Sequence, residues 1–267
     1  MNYSQMHQYH KTKNADITIA AMRVGKVEAA GSFGVLDVDE NLMLIEFQEK
    51  PMQPKTIPGT PDFCLVSMGI YMFKVSALRE CLKAAGDDFG IDIIPNLIGK
   101  DYRILIYDCE KENCISEFAY EVKDGKRKRI IVDRTMHSSY WKDVGTIDSY
   151  YKASMDLFSV APIFNLYGEK WPIRTFKRPL PPSKFIFGGR AIRSIISEGC
   201  IINGARIWHS ILSPNVVVEQ YSHLEQSIIF DNIMIEPNAK IRYAIIDKQA
   251  RIQAGVSIGY NRELDMQ

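Results

Sequence analysis

The chain is poor in the features that mark secreted, membrane-bound or highly charged proteins. Its 267 residues include only five cysteines, at 64, 81, 109, 114 and 200, odd in number and with no CxxC pair. That pattern fits free thiols in a reducing cytosol rather than a disulfide framework. No apolar run reaches the roughly 18 residues needed to cross a bilayer. The polar stretch Met1 to Asn14 lacks the apolar core of a secretory leader. Lys and Arg number 33 against 32 Asp and Glu, for a net charge of +1. Bulk electrostatics therefore imply no nucleic-acid and no membrane partner. The length suits one large or two modest domains with a sizeable core.

What the chain does have is a register of aliphatic residues near its C-terminal end. Ile195, Ile201, Ile207, Leu212, Val218, Leu224, Ile229, Ile235, Ile241, Ile246, Ile252 and Ile258 follow one another at steps of five or six. Small residues such as Ala205, Ser210, Ser222, Ser227 and Ala239 stand two places before many of them. Neither the helical period of 3.6 nor the strand period of 2 produces this. A period near six fits a coil with three flat faces, each adding one aliphatic side chain to a shared interior. The expectation is a left-handed parallel β-helix over residues 191–267, after a connector at 161–190 and an α/β domain at 1–160.

Within that first domain, residues 1–14 read as a solvated helix; His7 and His10 lie at i and i+3, but no carboxylate or Cys completes a metal set. Ile17, Ile19 and Ala21 alternate as a strand. A strand ends at Glu49-Lys50-Pro51, where the proline should push Lys50 towards an extended conformation. Read alone, this tripeptide is also satisfied by a surface ion pair beside a turn. Ser67 to Phe73 is apolar enough for a central strand, and Val75 to Ala85 for an amphipathic helix. Asp124-Gly125 predicts a hairpin turn between two strands within 115–133. Thr146 is a good N-cap for a helix with Asp148 in its first turn, and Ile147, Tyr150, Tyr151, Met155 and Phe158 as its buried stripe. Asp143, just ahead of it, is either a metal-binding carboxylate or a turn aspartate.

In order, Phe33-Gly34-Val35, Glu49-Lys50-Pro51, Ser67-Met68-Gly69-Ile70-Tyr71, Asp88-Phe89-Gly90, Tyr140-Trp141-Lys142-Asp143-Val144-Gly145-Thr146, Trp171-Pro172-Ile173-Arg174-Thr175 and the hexapeptide ladder closely resemble bacterial ADP-glucose pyrophosphorylase. The resemblance covers roughly residues 15–262. It implies the C-terminal half of a Rossmann-like, GT-A-like nucleotidyltransferase domain followed by the β-helix. It also implies the reaction of ATP with glucose 1-phosphate to give ADP-glucose and diphosphate, with Mg2+ as Lewis acid, in glycogen biosynthesis. By this resemblance Lys50 holds the sugar phosphate and Glu49 and Ser67 take sugar hydroxyls. Gly34 lets the backbone approach, while Tyr71, Asp88, Phe89 and Trp141 line the sugar pocket. Lys50 and Asp143 are the catalytic candidates, with Asp143 one of two magnesium-binding aspartates. A cytoplasmic homo-oligomer, a tetramer in the family, is implied, with allosteric anions for which Arg174, Lys177, Arg178 and Lys184 are the residues to test.

The pattern departs from the family in three places. The glycine-rich loop that wraps the ATP triphosphate, and the partner aspartate for magnesium, are not found, so Met1 is expected to fall midway through the catalytic domain. The C-terminus ends earlier than expected, and the segment 112–135 is longer. The expectation is a sugar-phosphate half-site in an open half-sheet with exposed edges, and no pyrophosphorylase activity in the isolated chain. Other readings are a non-catalytic regulatory or assembly subunit, another sugar-1-phosphate nucleotidyltransferase, and a β-helix acyltransferase using His209 or His223.

Overall fold

The computed structural model describes residues 1–83, 86–113, 115–134, 140–158, 164, 166–169 and 172–266. Cys114, Trp171 and the end of the expected helix at residues 84–85 lie outside the described residues. The chain divides into two compact units, Met1–Trp141 with Tyr167–Pro172, and Lys142–Leu166 with Ile173–Gln267.

The first unit is built on a five-stranded sheet. Its strands are β1 (Ile17–Gly25), β2 (Gly34–Val38), β3 (Leu44–Glu49), β4 (Phe63–Phe73) and β5 (Ile104–Asp108), in the order β3-β2-β4-β1-β5. Only β1 and β5 run parallel; the other pairs are antiparallel. Alternate residues of β1 feed two separate cores, Ile17, Ile19 and Ala21 on one face and Ala20 and Met22 on the other. Both faces are therefore covered, and the alternation seen in the sequence sorts residues between two cores rather than between core and solvent.

The helix Tyr3–Thr12 covers one of these faces. It is not a solvated helix: Met6 and His10 are buried, and the His10 ring nitrogen Nδ1 lies 2.8 Å from the hydroxyl of buried Thr18. The expected open edge is also partly closed. All five residues of β5 are buried, Met43 bridges to Leu105, and the Ile106 amide donates to the Leu42 carbonyl at 2.8 Å. The hairpin forms as expected, with Ile115–Lys123 and Lys126–Arg134 joined by Asp124 and Gly125 at φ 52° and 70°.

The second unit is a three-sided parallel β-solenoid. Its faces carry four, five and five strands, every neighbouring pair parallel and in register. Register partners stand seventeen residues apart in most coils, as with Ile211 and Ile228. They stand sixteen apart where the coil includes the turn after Ile202, as with Ile195 and Ile211. The interior column contains Ile207, Leu212, Val218, Leu224, Ile229, Ile235, Ile241, Ile246, Ile252 and Ile258, as the spacing predicts. The first two positions differ: Ile196 and Ile202 face inward, not Ile195 and Ile201. One turn is a residue short there, and a uniform period carries the reading one place too far back.

Small corner residues close the interior. Buried Ser210, Ser222 and Ser227 each accept from a backbone N–H one coil away, at 3.1 to 3.3 Å. Equivalent corners Arg193, His209, Gln226 and Tyr243 all adopt positive φ between 44° and 50°. In the same unit the helix Ile147–Met155 begins at Thr146, whose hydroxyl and Ser149 form a reciprocal capping box. Tyr151 donates to the Gln226 carbonyl at 2.8 Å, and Tyr150 meets Phe230 at 6.3 Å. The expected buried stripe is only half-covered: Tyr150, Tyr151, Met155 and Phe158 are half-buried, and Ile147 is 78% exposed.

Candidate functional site

The site residues of the first unit gather where β2 begins, β3 ends and β4 bends. Gly34 pairs with Glu49, and the Val35–Val66 pairing places Gly34 alongside Ser67. Opposite β1, the register of β4 jumps from Ser67, against Ala21, to Tyr71, against Ile19. Met68, Gly69 and Ile70 form the bulge, with Gly69 at φ 68° and its amide donating to the Ser67 hydroxyl at 3.2 Å. A bulge of this kind re-aims the side chains at its ends, here Ser67 and Tyr71. The signal was in the sequence: a glycine inside an otherwise apolar strand marks a bulge.

Tyr71 stacks on Phe89 with ring centroids 5.5 Å apart. Its phenol is held above the ordinary value, mainly by burial and further by the charges of Asp88 and Glu49, while a hydrogen bond with Ser67 opposes the shift. Register sets Glu49 and Ser67 beside Gly34, and the stack on Phe89 brings Tyr71 next to Asp88. Asp88 Oδ1 accepts from the amides of Gly90 and Ile91 at 2.6 and 2.8 Å, capping the π-helical turn Phe89–Ile93. Trp141 packs beside the β2 entrance on Phe33, at 5.6 Å.

Lys50 departs from expectation. Its φ is +46°, so it lies in the left-handed region rather than extended. Two backbone hydrogen bonds hold the turn, Lys50 N–H to the Phe33 carbonyl at 3.1 Å and Gly31 N–H to the Pro51 carbonyl at 3.0 Å. A non-glycine residue in this region costs roughly 1–3 kcal/mol and persists where its surroundings over-determine it. The Lys50 side chain is 61% exposed, with its ammonium group 4.0 Å from the Glu49 carboxylate, on a backbone hydrogen-bonded on both sides of the turn.

Phe47 was not anticipated from the sequence. A Cβ on Gly34 would lie 2.8 Å from the Phe47 ring and 3.1 Å from Glu49 Oε2, and one on Gly90 would lie 3.2 Å from the same ring. Phe47 thus fills the space between two glycines that flank the acidic residues Glu49 and Asp88. Gly34 is required for this packing as well as for any approach by a ligand.

In the second unit Asp143 is exposed, two residues before Gly145, where a Cβ would come within 3.2 Å of its carboxylate. Asp143 offers one hard oxygen donor. Among the described residues no three His, Cys, Asp or Glu side chains converge to hold a metal. A lone carboxylate does not complete a magnesium site, so no chemical step is assigned to a metal here. Arg174, Lys177 and Arg178 are exposed in irregular chain, and Lys184 opens the first solenoid strand. His209 sits at a coil corner against Phe158 and Trp208; neither it nor His223 lies on an extruded loop.

A sheet-based α/β unit with polar residues gathered at strand ends, joined in sequence to a hexapeptide solenoid, defines a class that comparison with known families identifies. The nucleotidyl transferase family model matches residues 1–159, and a GlmU-like C-terminal hexapeptide model matches residues 181–267; the chain belongs to the nucleotidyl transferase family. More particularly, it is similar to proteins named glucose-1-phosphate adenylyltransferase. It is 41% identical to one from Shewanella baltica, over 99% of this chain and 60% of that relative. It is 42% identical to one from an Anaeromyxobacter species, over 99% and 64%, and 40% identical to one from Rhodopirellula baltica, over 99% and 57%. The chain thus spans about three fifths of the length of these relatives. Among the described residues no helix is long and apolar enough to cross a membrane.

Proposed function

We propose that this chain provides the glucose 1-phosphate half-site for adenylyl transfer, in which ATP and glucose 1-phosphate give ADP-glucose and diphosphate. The observation that carries this reading is the register that sets Glu49 and Ser67 beside Gly34, with Tyr71 stacked on Phe89 next to Asp88 and the hydrogen-bonded Lys50 turn following Glu49. In a relative's reaction the sugar phosphate oxygen attacks the α-phosphorus of ATP and diphosphate leaves, so the protein's task is positioning and charge neutralisation. Lys50 suits the phosphate, as a point charge on a fixed backbone. Glu49 and Ser67 suit sugar hydroxyls, with Tyr71, Phe89 and Trp141 as apolar walls and Asp88 supporting the turn beneath them. Asp143 is assigned to magnesium in the assembled enzyme. A cytoplasmic homo-oligomer, with Arg174, Lys177, Arg178 and Lys184 open to anionic effectors, completes the proposal.

The test is calorimetric titration of the purified chain with glucose 1-phosphate. Lys50→Ala should weaken binding at least tenfold, the scale expected when a charge-assisted contact worth about 1.5–3 kcal/mol is lost. Unchanged affinity in Lys50→Ala, or equal affinity for glucose and glucose 1-phosphate, would remove Lys50 from the site.

A further inference from the structure

One face of the solenoid carries a column of like charge. Register pairs Arg190 with Arg206, Arg206 with His223 and His223 with Lys240. Four basic side chains therefore stand in line along the axis, one per coil, about 4.8 Å apart. The residues next to them, Ile207, Leu224 and Ile241, turn into the core, which sends the basic column outward. Arg190, Arg206 and Lys240 are exposed and His223 is half-buried. They line an open trough of about 680 Å³ that also includes Trp208 and Tyr260.

Like charges directly opposite on neighbouring strands repel. Elsewhere in the solenoid Arg251 meets Glu236 at 2.6 Å. Here, among the described residues, none of Arg190, Arg206 and Lys240 has a carboxylate within ion-pair distance. Glu225 is the one carboxylate among the residues lining the trough. The His223 imidazole is held below its ordinary value by partial burial and then by Arg206, Lys240 and Arg190.

We propose that this face binds a linear phosphate polyanion, inorganic polyphosphate, laid along the solenoid axis. Guanidinium groups match phosphate oxygens in fork geometry, and a chain free to rotate at each link can follow a fixed ladder of cations. An extended acidic peptide fits less well. Its same-side residues recur at roughly 6.7 Å, out of step with the coils, and strands add to sheet edges rather than onto faces. Single-stranded nucleic acid draws affinity from successive aromatic platforms. In this trough Tyr260 already lies under the Arg242 guanidinium at 4.6 Å, which leaves Trp208 alone for stacking.

The test uses the whole chain titrated with medium-length inorganic polyphosphate. Orthophosphate, poly-glutamate and an unstructured oligodeoxythymidine serve as competitors. Binding should weaken with salt at a log–log slope of about −2 to −3, the value for three to four neutralised charges on a flexible chain. Arg206→Gln and Lys240→Gln should each lower affinity about tenfold, with unchanged circular dichroism since neither side chain has an ion-pair partner among the described residues. Arg251→Gln, on a neighbouring face, should leave polyphosphate affinity unchanged. Affinity should rise as pH falls and His223 takes up its proton, and His223→Gln should flatten that rise. The proposal is overturned if Arg206→Gln and Lys240→Gln bind polyphosphate as the parent does, or if poly-glutamate or oligodeoxythymidine competes as well as polyphosphate.

Discussion

The solenoid and the β1–β5 sheet both bury aliphatic side chains, yet they place their irregularities differently. In the solenoid most deviations from ideal strand geometry repeat, the short turn after Ile202 apart. Corner residues Arg193, His209, Gln226 and Tyr243 take the same positive φ in successive coils, and buried serines recur where a small side chain is needed. In the sheet several deviations occur once and lie near one another: the bulge at Met68–Ile70, the left-handed Lys50 and the Phe47 contact with two glycines; a further register shift lies at Asp37–Val38. Repeated irregularity serves a stack whose coils contact mainly their neighbours. Irregularity that occurs once, beside polar side chains, is where strain is commonly held for a ligand.

Four substitutions would break or sharpen that contrast. Leu212→Ala empties a fully buried coil position and should cost about 2–5 kcal/mol, read as a fall in the urea midpoint. Gly34→Ala drives a methyl group into Phe47 and Glu49. It should cost about 1–3 kcal/mol and also weaken glucose 1-phosphate binding, an effect that Leu212→Ala should not share. If both variants change stability alone, the sheet irregularities have no functional role. Ser227→Ala removes the oxygen that accepts from the Ala244 amide at 3.3 Å and should cost about 1 kcal/mol, with no change in ligand affinity.

The smallest effect concerns pH. Burial, then Lys74 and His7, hold the His10 imidazole below 6.5. The unfolded chain therefore takes up this proton at higher pH than the folded chain. The stability linked to neutral His10 is complete above pH 6.5 and is lost as pH falls towards the folded-state value. Denaturation midpoints measured across that window should slope for the parent chain and flatten for His10→Gln.

Legibility followed the same division. A repeat averages over many coils, so the spacing of Ile207 to Ile258 predicted the solenoid interior, and one short turn cost only Ile195 and Ile201. Thr146 as a helix cap and Asp124-Gly125 as a hairpin turn were readable because local chemistry decides them. Lys50 was misread because proline's effect on its predecessor is a local preference, and two backbone hydrogen bonds from the neighbouring turn override it. Phe47 left no signal because its importance lies in the glycines at 34 and 90, distant in sequence from each other. Ile147 sits at a helical position that the apolar pattern assigns inward, while contacts with Gln226 and Phe230 set the helix by its tyrosines instead.

One turn of the solenoid is a residue shorter than its counterparts. A column of identical coils has translational symmetry, and a chain folding onto it could seat itself one storey too high or too low with little loss of contact. The missing residue after Ile202 acts as a notch in a key. A coil displaced by one storey would meet it one residue out of register, with the strand beyond the turn facing the wrong side.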